Sequence, residues 1–145
     1  MIDLNSSGFH FILASRSPRR QFLLGETGLI FEVRVIETEE NYPENLFCEE
    51  IALYVSRKKA LAFDMHALPA TALLIAADTI VWLDGECIGK PLDEQEAKIM
   101  LRKLSGKRHT VATGVCLRTR DRLHSFFVNT EVFFRSEEHT SELQS

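Results

Sequence analysis

The segment Leu13-Ala14-Ser15-Arg16-Ser17-Pro18-Arg19-Arg20 places two hydroxyls, a proline and paired arginines directly after the apolar run Phe11-Ile12-Leu13-Ala14. Ser17 suits an N-cap and Pro18 the first helical position, so a helix should begin there. Free backbone N–H groups at a helix start attract anions, and Arg19 and Arg20 add positive charge and planar donors. The result is a compact phosphate-binding corner. It is not a Walker loop, because it lacks both a glycine run and Gly-Lys-Ser/Thr. An ordinary capped helix with surface arginines is the other reading of the same residues.

Further chemistry-bearing residues recur along the chain. Asp78 and Thr79 sit where the apolar run through Ile75-Ala76-Ala77 is expected to end. A carboxylate there can face a ligand crevice, orient a water, accept its proton or hold a divalent metal. It can also simply cap a strand-end turn. In Gly89-Lys90-Pro91 the glycine allows close backbone approach and the lysine offers a point charge to phosphate. A solvated loop lysine is the alternative. Lys58 and Lys59 lie on a predicted helix, where a surface face is the default. Glu37, Glu39 and Glu40 form an acidic loop that either binds Mg²⁺ through oxygen ligands or is a solvated charge run. His109 has the pKa of a general acid or base, or anchors a helix-to-strand connection. Taken together, the set suits a polyphosphate substrate carried with a divalent cation, Mg²⁺ or Mn²⁺. It does not suit covalent catalysis, since no Gly-x-Ser-x-Gly elbow and no cysteine with an activating partner is present.

The elements that must position these groups follow from patterning. Strands are expected at Phe9–Ala14, Phe31–Val35 and Leu73–Ala77, the last continuing extended over Ile80–Leu83 to a hairpin turn at Asp84-Gly85. Helices are expected from Pro18 to about Leu24, ended by Gly25 or Gly28, and from Glu49 to about Met65. A third begins at Asp93 with Glu96 completing a capping box, buries Ile99, Met100, Leu101 and Leu104, and stops at Gly106. His109–Arg118 and Leu123–Phe134 read as a long antiparallel pair. One α/β domain results.

With 145 residues, 45% of them hydrophobic, the chain can bury one real core. A formal charge of −4 argues against nucleic-acid or membrane-surface partners, so an anionic substrate needs a local basic cluster. Cys48, Cys87 and Cys116 share no CxxC spacing and read as reduced thiols. No apolar stretch is long enough to span a membrane, and Met1–Gly8 lacks signal-peptide order. A cytoplasmic location is the default expectation.

In family order, the chain carries Leu13-Ala14-Ser15-x-Ser17-Pro18-Arg19-Arg20, Glu39-Glu40, Lys59-Ala60, Ala77-Asp78-Thr79, Gly89-Lys90-Pro91 and Leu104-Ser105-Gly106-x-x-His109-x-Val111-x-Thr113. With these blocks it resembles the Maf family of nucleoside triphosphate pyrophosphatases, also called septum-formation inhibitor proteins, over about Phe11–Phe134. The resemblance implies an elongated α/β domain, with a mixed twisted central sheet flanked by helices and a cleft between two lobes. It implies metal-assisted hydrolysis of a nucleoside triphosphate to the monophosphate and pyrophosphate. On the same basis Asp78 activates water. Ser15, Ser17, Arg20, Lys59 and Lys90 contact the triphosphate, and Glu39 or Glu40 helps the metal. Arg19 and Thr79 resemble the branch acting on dTTP and UTP, extending to modified pyrimidine nucleotides. The other branch, acting on 7-methyl-GTP, tends to carry Trp at the Arg19 position. A homodimer is in keeping with the family. The alternatives are a nucleotide-binding cell-division regulator without important turnover, and an inactive truncated fragment.

The tail departs from everything before it. Arg135-Ser-Glu-Glu-His-Thr-Ser-Glu-Leu-Gln-Ser145 is almost wholly polar and carries one Arg against three Glu. It resembles the translation of a sequencing adaptor, so residues 135–145 are expected to be a non-native, disordered extension, with residues 1–134 forming the domain. The family's later Lys-Ala-Gly-Ala-Tyr segment and C-terminal glutamine determinant have no counterpart here, and Gln144 is not a substitute. The native C-terminal part is therefore expected to be missing, leaving the last strand as an exposed apolar edge.

Overall fold

A computed structural model describes residues 3–135. The proposed tail, apart from Arg135, lies outside the described residues. The first strand, β1 (His10–Leu13), carries the buried run Phe11-Ile12-Leu13. It has a parallel neighbour on each side, which explains why its sequence is continuously apolar rather than alternating. These neighbours are β2 (Phe31–Val33) and the long β3 (Ala72–Leu83). Between β1 and β2 runs α1 (Pro18–Glu26), capped by Ser17 with Pro18 in the first turn. Of the two glycines expected to end it, Gly25 lies inside the helix. Gly28, at φ 82°, turns the chain away beyond the C-cap Thr27.

β3 pairs with β4 (Glu86–Ile88) through a two-residue turn in which Asp84 and Gly85 both have positive φ, as expected of an Asp-Gly hairpin. It pairs with β5 (Arg108–Arg118) over nine positions, from Leu74↔Arg118 to Trp82↔Thr110. β6 (Leu123–Phe133) completes the sheet, whose order is β2-β1-β3-β5-β6 with β4 attached to β3. The expected mixed α/β domain, with a mixed central sheet and flanking helices, is what the structure shows.

α2 (Glu49–Leu61) lies across one face of the sheet, burying Ile51, Ala52, Val55, Ser56 and Ala60. It ends earlier than its spacing suggested, because a separate 3₁₀ turn at Met65–Ala67 takes over. One core cluster joins Ile12, Leu74, Ala76 and Cys116 to Ala60 and Phe63 beneath the end of α2. A second gathers Ile51, Ala52 and Val55 with Ile80 and Ala112. α2 approaches the sheet at backbone distance: a Cβ on Gly114 would stand 2.5 Å from the carbonyl carbon of Ala52.

α3 (Glu94–Leu104) is capped by the Asp93 side chain on the Glu96 N–H at 2.8 Å, while the Glu96 carboxylate accepts from the Leu92 N–H at 2.9 Å. Only Leu104 of its four expected apolar positions is fully buried, and Ile99 is exposed.

One expectation is corrected. Asp78 and Thr79 do not terminate a strand; they lie in the middle of β3, paired with Gly114 and Thr113 of β5. The interruption is in the neighbour. β1 covers β3 only as far as Ile75, and β4 begins only at Val81. Among the described residues, Ala76–Ile80 therefore has no ladder partner on that edge.

Candidate active site

The loop after β1 is built by its own hydroxyls. The Ser15 hydroxyl accepts the Ser17 N–H at 3.1 Å, the Ser17 hydroxyl accepts the Arg20 N–H at 3.2 Å, and Gln21 Nε2 donates to the Ser15 carbonyl at 3.0 Å. Each hydroxyl thus spends a lone pair on the loop and retains its proton as a donor. Ser15, Ser17 and Arg20 line a polar cavity of about 430 Å³, together with Lys59, Lys90 and Glu40. Arg16 and Glu37 form an ion pair on its wall.

Asp78 is the buried acid of the site, only 4% exposed. Lys59, near the C-terminal end of α2, lies 3.5 Å from Asp78 and 3.1 Å from Glu40. Lys90 stands 3.8 Å from the other oxygen of Glu40. Burial raises the Asp78 pKa above the ordinary aspartate range; Lys59 opposes the shift and Glu40 adds to it. Burial also works to raise Glu40, but its hydrogen bond to Lys59 and the charges of Lys59, Lys90 and Arg20 outweigh it, so its pKa is lowered. The site therefore holds one firmly ionised carboxylate and one carboxylate kept more basic than usual.

Asp78 and Thr79 are adjacent, so they point to opposite faces of β3. Asp78 faces α2 and Lys59. On the other face, the Thr79 hydroxyl accepts from Arg20 Nη2 at 3.1 Å and lies 3.0 Å from the Thr113 hydroxyl. Arg20 and Lys59 both line the polar cavity. A second cavity of about 250 Å³ adjoins the first and shares Glu40 and Lys90 with it. Asp78 and Thr79 line it, and the rest of its wall is mostly apolar, including Ile51, Val55, Ile80 and Met100, with Tyr42 and Cys87.

Several expected residues stand elsewhere. Arg19 is exposed and does not line the polar cavity. Glu39 is exposed and accepts a hydrogen bond from Asn41, so Glu40 alone of the expected pair faces the lysines. Lys58 hydrogen-bonds Asn41 instead of lining the cavity. His109 is buried edge-on against Phe134, and burial lowers its pKa, which fits the structural reading. Sequence patterning gave no site role to Arg16, Tyr42, Cys87 or Thr113, and read Glu37 only as part of the acidic loop. The position of Thr113 opposite Thr79 depends on the β3–β5 register, which no local motif reports.

Among the described residues, no group of three or more His, Cys, Asp or Glu side chains is placed to hold a metal ion. The donors present fit a looser arrangement. Glu40 and Asp78 flank one ammonium group, and Mg²⁺ is commonly held by one or two carboxylates plus substrate phosphate oxygens and water.

The family model described as "Maf-like protein" matches residues 10–144. The chain belongs to the Maf-like family. This Maf-like chain is 49% identical over 131 residues to a dTTP/UTP pyrophosphatase of Phocaeicola vulgatus, a match covering 90% of the chain and 67% of the relative. It is 47% identical, with the same coverage, to one of Bacteroides thetaiotaomicron. To one of Bacillus pumilus it is 42% identical, covering 85% of the chain and 64% of the relative. The Maf-like chain thus spans about two thirds of the length of these relatives. In fold it is similar to a HAM1 protein from Coxiella burnetii, with a TM-score of 0.53 and 14% identity over 85% of this chain and 71% of that one.

Proposed function

We propose that residues 1–134 carry the site of a nucleoside triphosphate pyrophosphatase acting on dTTP and UTP, releasing the monophosphate and pyrophosphate, and that 135–145 is not native. The observation that carries this reading is Asp78, buried where a cationic cavity adjoins an apolar one. The phosphates then occupy the polar cavity and the nucleoside the apolar one. The α-phosphorus comes to the junction, beside a carboxylate whose pKa is raised by burial. That placement accounts for release of pyrophosphate rather than orthophosphate. The names of the relatives supply the substrate class.

In the reaction, a water oxygen attacks the α-phosphorus, its proton passes to the Asp78 carboxylate, and the bond from α-phosphorus to the bridging oxygen breaks. The departing pyrophosphate carries away the bridging oxygen and its electron pair. Arg20, Lys59, Lys90 and the hydroxyl protons of Ser15 and Ser17 hold the phosphate oxygens, where fixed positive charge lowers the barrier. A divalent cation bound by Glu40 and phosphate oxygens would further neutralise the anionic oxygens. An aspartate made more basic by burial is a better proton acceptor near neutrality.

The test is pyrophosphate release from dTTP, UTP and 7-methyl-GTP with Mg²⁺ or Mn²⁺. Asp78→Asn should lower turnover by about 10²–10⁴-fold and leave nucleotide affinity nearly unchanged. A fully active Asp78→Asn protein would remove Asp78 from the reaction.

A further inference from the structure

The hydroxyl pair at Thr79 and Thr113 stands behind Arg20, on the sheet face opposite Asp78. A guanidinium is a donor only, so at 3.1 Å the Thr79 oxygen must be the acceptor from Arg20. That oxygen keeps a second lone pair and one proton, and the Thr113 hydroxyl at 3.0 Å is its partner for one or the other. Thr113 is the residue directly opposite Thr79 in the β3–β5 ladder, so the two hydroxyls stand side by side on one face of the sheet. Arg20 lines the polar cavity, whereas Thr113 lines neither cavity.

We infer that Thr113 is a positioning residue: it holds the Thr79 hydroxyl in the rotamer that anchors the Arg20 guanidinium, and thereby prepares the phosphate cavity. Threonine has more than one accessible χ1 setting, and only a setting that points its oxygen at Arg20 serves as an anchor. The contact from β5 selects that setting before any ligand arrives. Arg20 then keeps one Nη group on Thr79 and has its remaining donors for phosphate. A long arginine loses much rotamer freedom when it grips an anion, and holding it beforehand removes part of that penalty. The inference rests on the phosphate assignment above, and it adds a residue that contacts no substrate.

The test compares Thr113→Val with Thr113→Ser. Valine keeps the branched shape and strand preference but removes the hydroxyl; serine keeps the hydroxyl. Binding of inorganic tripolyphosphate, measured by calorimetry at fixed salt, should weaken about five- to tenfold in Thr113→Val, the usual worth of one hydrogen bond between neutral groups. Thr113→Ser should bind like the parent. With dTTP, Thr113→Val should raise KM by a similar factor with little change in kcat. In an Arg20→Ala background Thr113→Val should have no further effect, an outcome that a general loss of fold would not produce. Thr113→Ala serves the same comparison if the valine variant folds poorly.

Equal tripolyphosphate affinity in Thr113→Val and the parent overturns the inference, as does an undiminished loss in the Arg20→Ala background. A parent chain that binds neither tripolyphosphate nor dTTP overturns both this inference and the proposed function. A parent that binds and shows the Thr113 effect but releases no pyrophosphate overturns the proposed function alone.

Discussion

Gly114→Ala should separate α2 from the sheet and the Lys59 ammonium from Asp78. The backbone does not itself require glycine at 114, which lacks the positive φ found at Gly8, Gly28, Gly85 and Gly106. Without its surroundings the change would stabilise the strand by about 0.5–1 kcal/mol, since alanine restricts the unfolded chain more than glycine does. The new Cβ, however, would lie 2.5 Å from both the carbon and the oxygen of the Ala52 carbonyl and 2.7 Å from the Leu53 nitrogen. Ordinary contact begins at 3.4 Å, and the obstacle is helix backbone that cannot swing aside. Relief therefore requires α2 to rise by about 1 Å, loosening Ile51, Ala52 and Val55 over Ile80 and Ala112 at a cost of about 1–3 kcal/mol. The Lys59–Asp78 distance of 3.5 Å is already at the limit of a hydrogen bond, so the same movement breaks it. Urea unfolding followed by circular dichroism should show that loss of stability. Turnover should fall by about 10–100-fold, the scale of a 1 Å misplacement in a site, and its pH profile should move upward as Asp78 loses its ammonium neighbour. A Gly114→Ala protein as stable as the parent would refute the packing argument. One that is destabilised but fully active, with an unmoved pH profile, would refute the link to Lys59.

Asp78 also predicts a conflict between stability and activity. Its folded pKa is raised, so between the ordinary aspartate value and the folded value the native state holds the proton more tightly than the unfolded state. Stability therefore falls as pH rises through that window, and Asp78→Asn should melt no lower than the parent at pH 7 while losing turnover; a lower melting temperature would contradict this. Cys48 and Cys116 are buried, with Cys48 pushed up to about 11, chiefly by burial, leaving half-buried Cys87 as the reactive thiol. Mass spectrometry should find Cys87 alkylated by iodoacetamide, more slowly with dTTP present but not with tripolyphosphate. Equal protection by both would argue against a nucleoside in the apolar cavity. Glu40→Gln should raise the Mn²⁺ concentration needed for half-maximal turnover at least tenfold and Glu39→Gln should leave it unchanged, whereas equal effects would argue against the contrast drawn between them.

What the sequence makes legible is whatever depends on near neighbours. The Ser17-Pro18 helix start, the Asp84-Gly85 turn and the Asp93–Glu96 cap all depend on contacts within four residues, and the structure has each of them. Ser15, Ser17, Arg20, Lys59 and Lys90, which line one cavity, and the buried Asp78 were singled out through the ordered blocks that carry the family resemblance rather than through any one local pattern. The gap beside β3 was not legible, because it depends on β1 stopping at Leu13, some sixty residues earlier in the chain. Thr113 was hidden by register, and that Arg19 stands outside the polar cavity while Arg20 lines it reflects adjacent residues of a helix start pointing in different directions. The choice of Glu40 over Glu39 is likewise a matter of which side of a loop faces the lysines.

Asp78 and Thr79 occupy successive positions of a strand that is read from both faces, and this limits how the gene can change length. Inserting or deleting a single codon within Ala72–Asp78 would turn every later side chain of β3 over. The carboxylate would then stand behind Arg20 and the hydroxyl beneath Lys59, exchanging the groups that meet these two cations. No compensating substitution elsewhere restores that order except a second length change in the same strand. The two-residue turn at Asp84-Gly85 lies beyond this constraint, because it follows the last side chain that the site uses on β3. Length variation among descendants of this gene should therefore collect at that turn and at the Thr119–Arg122 turn, and be purged from the seven codons of Ala72–Asp78.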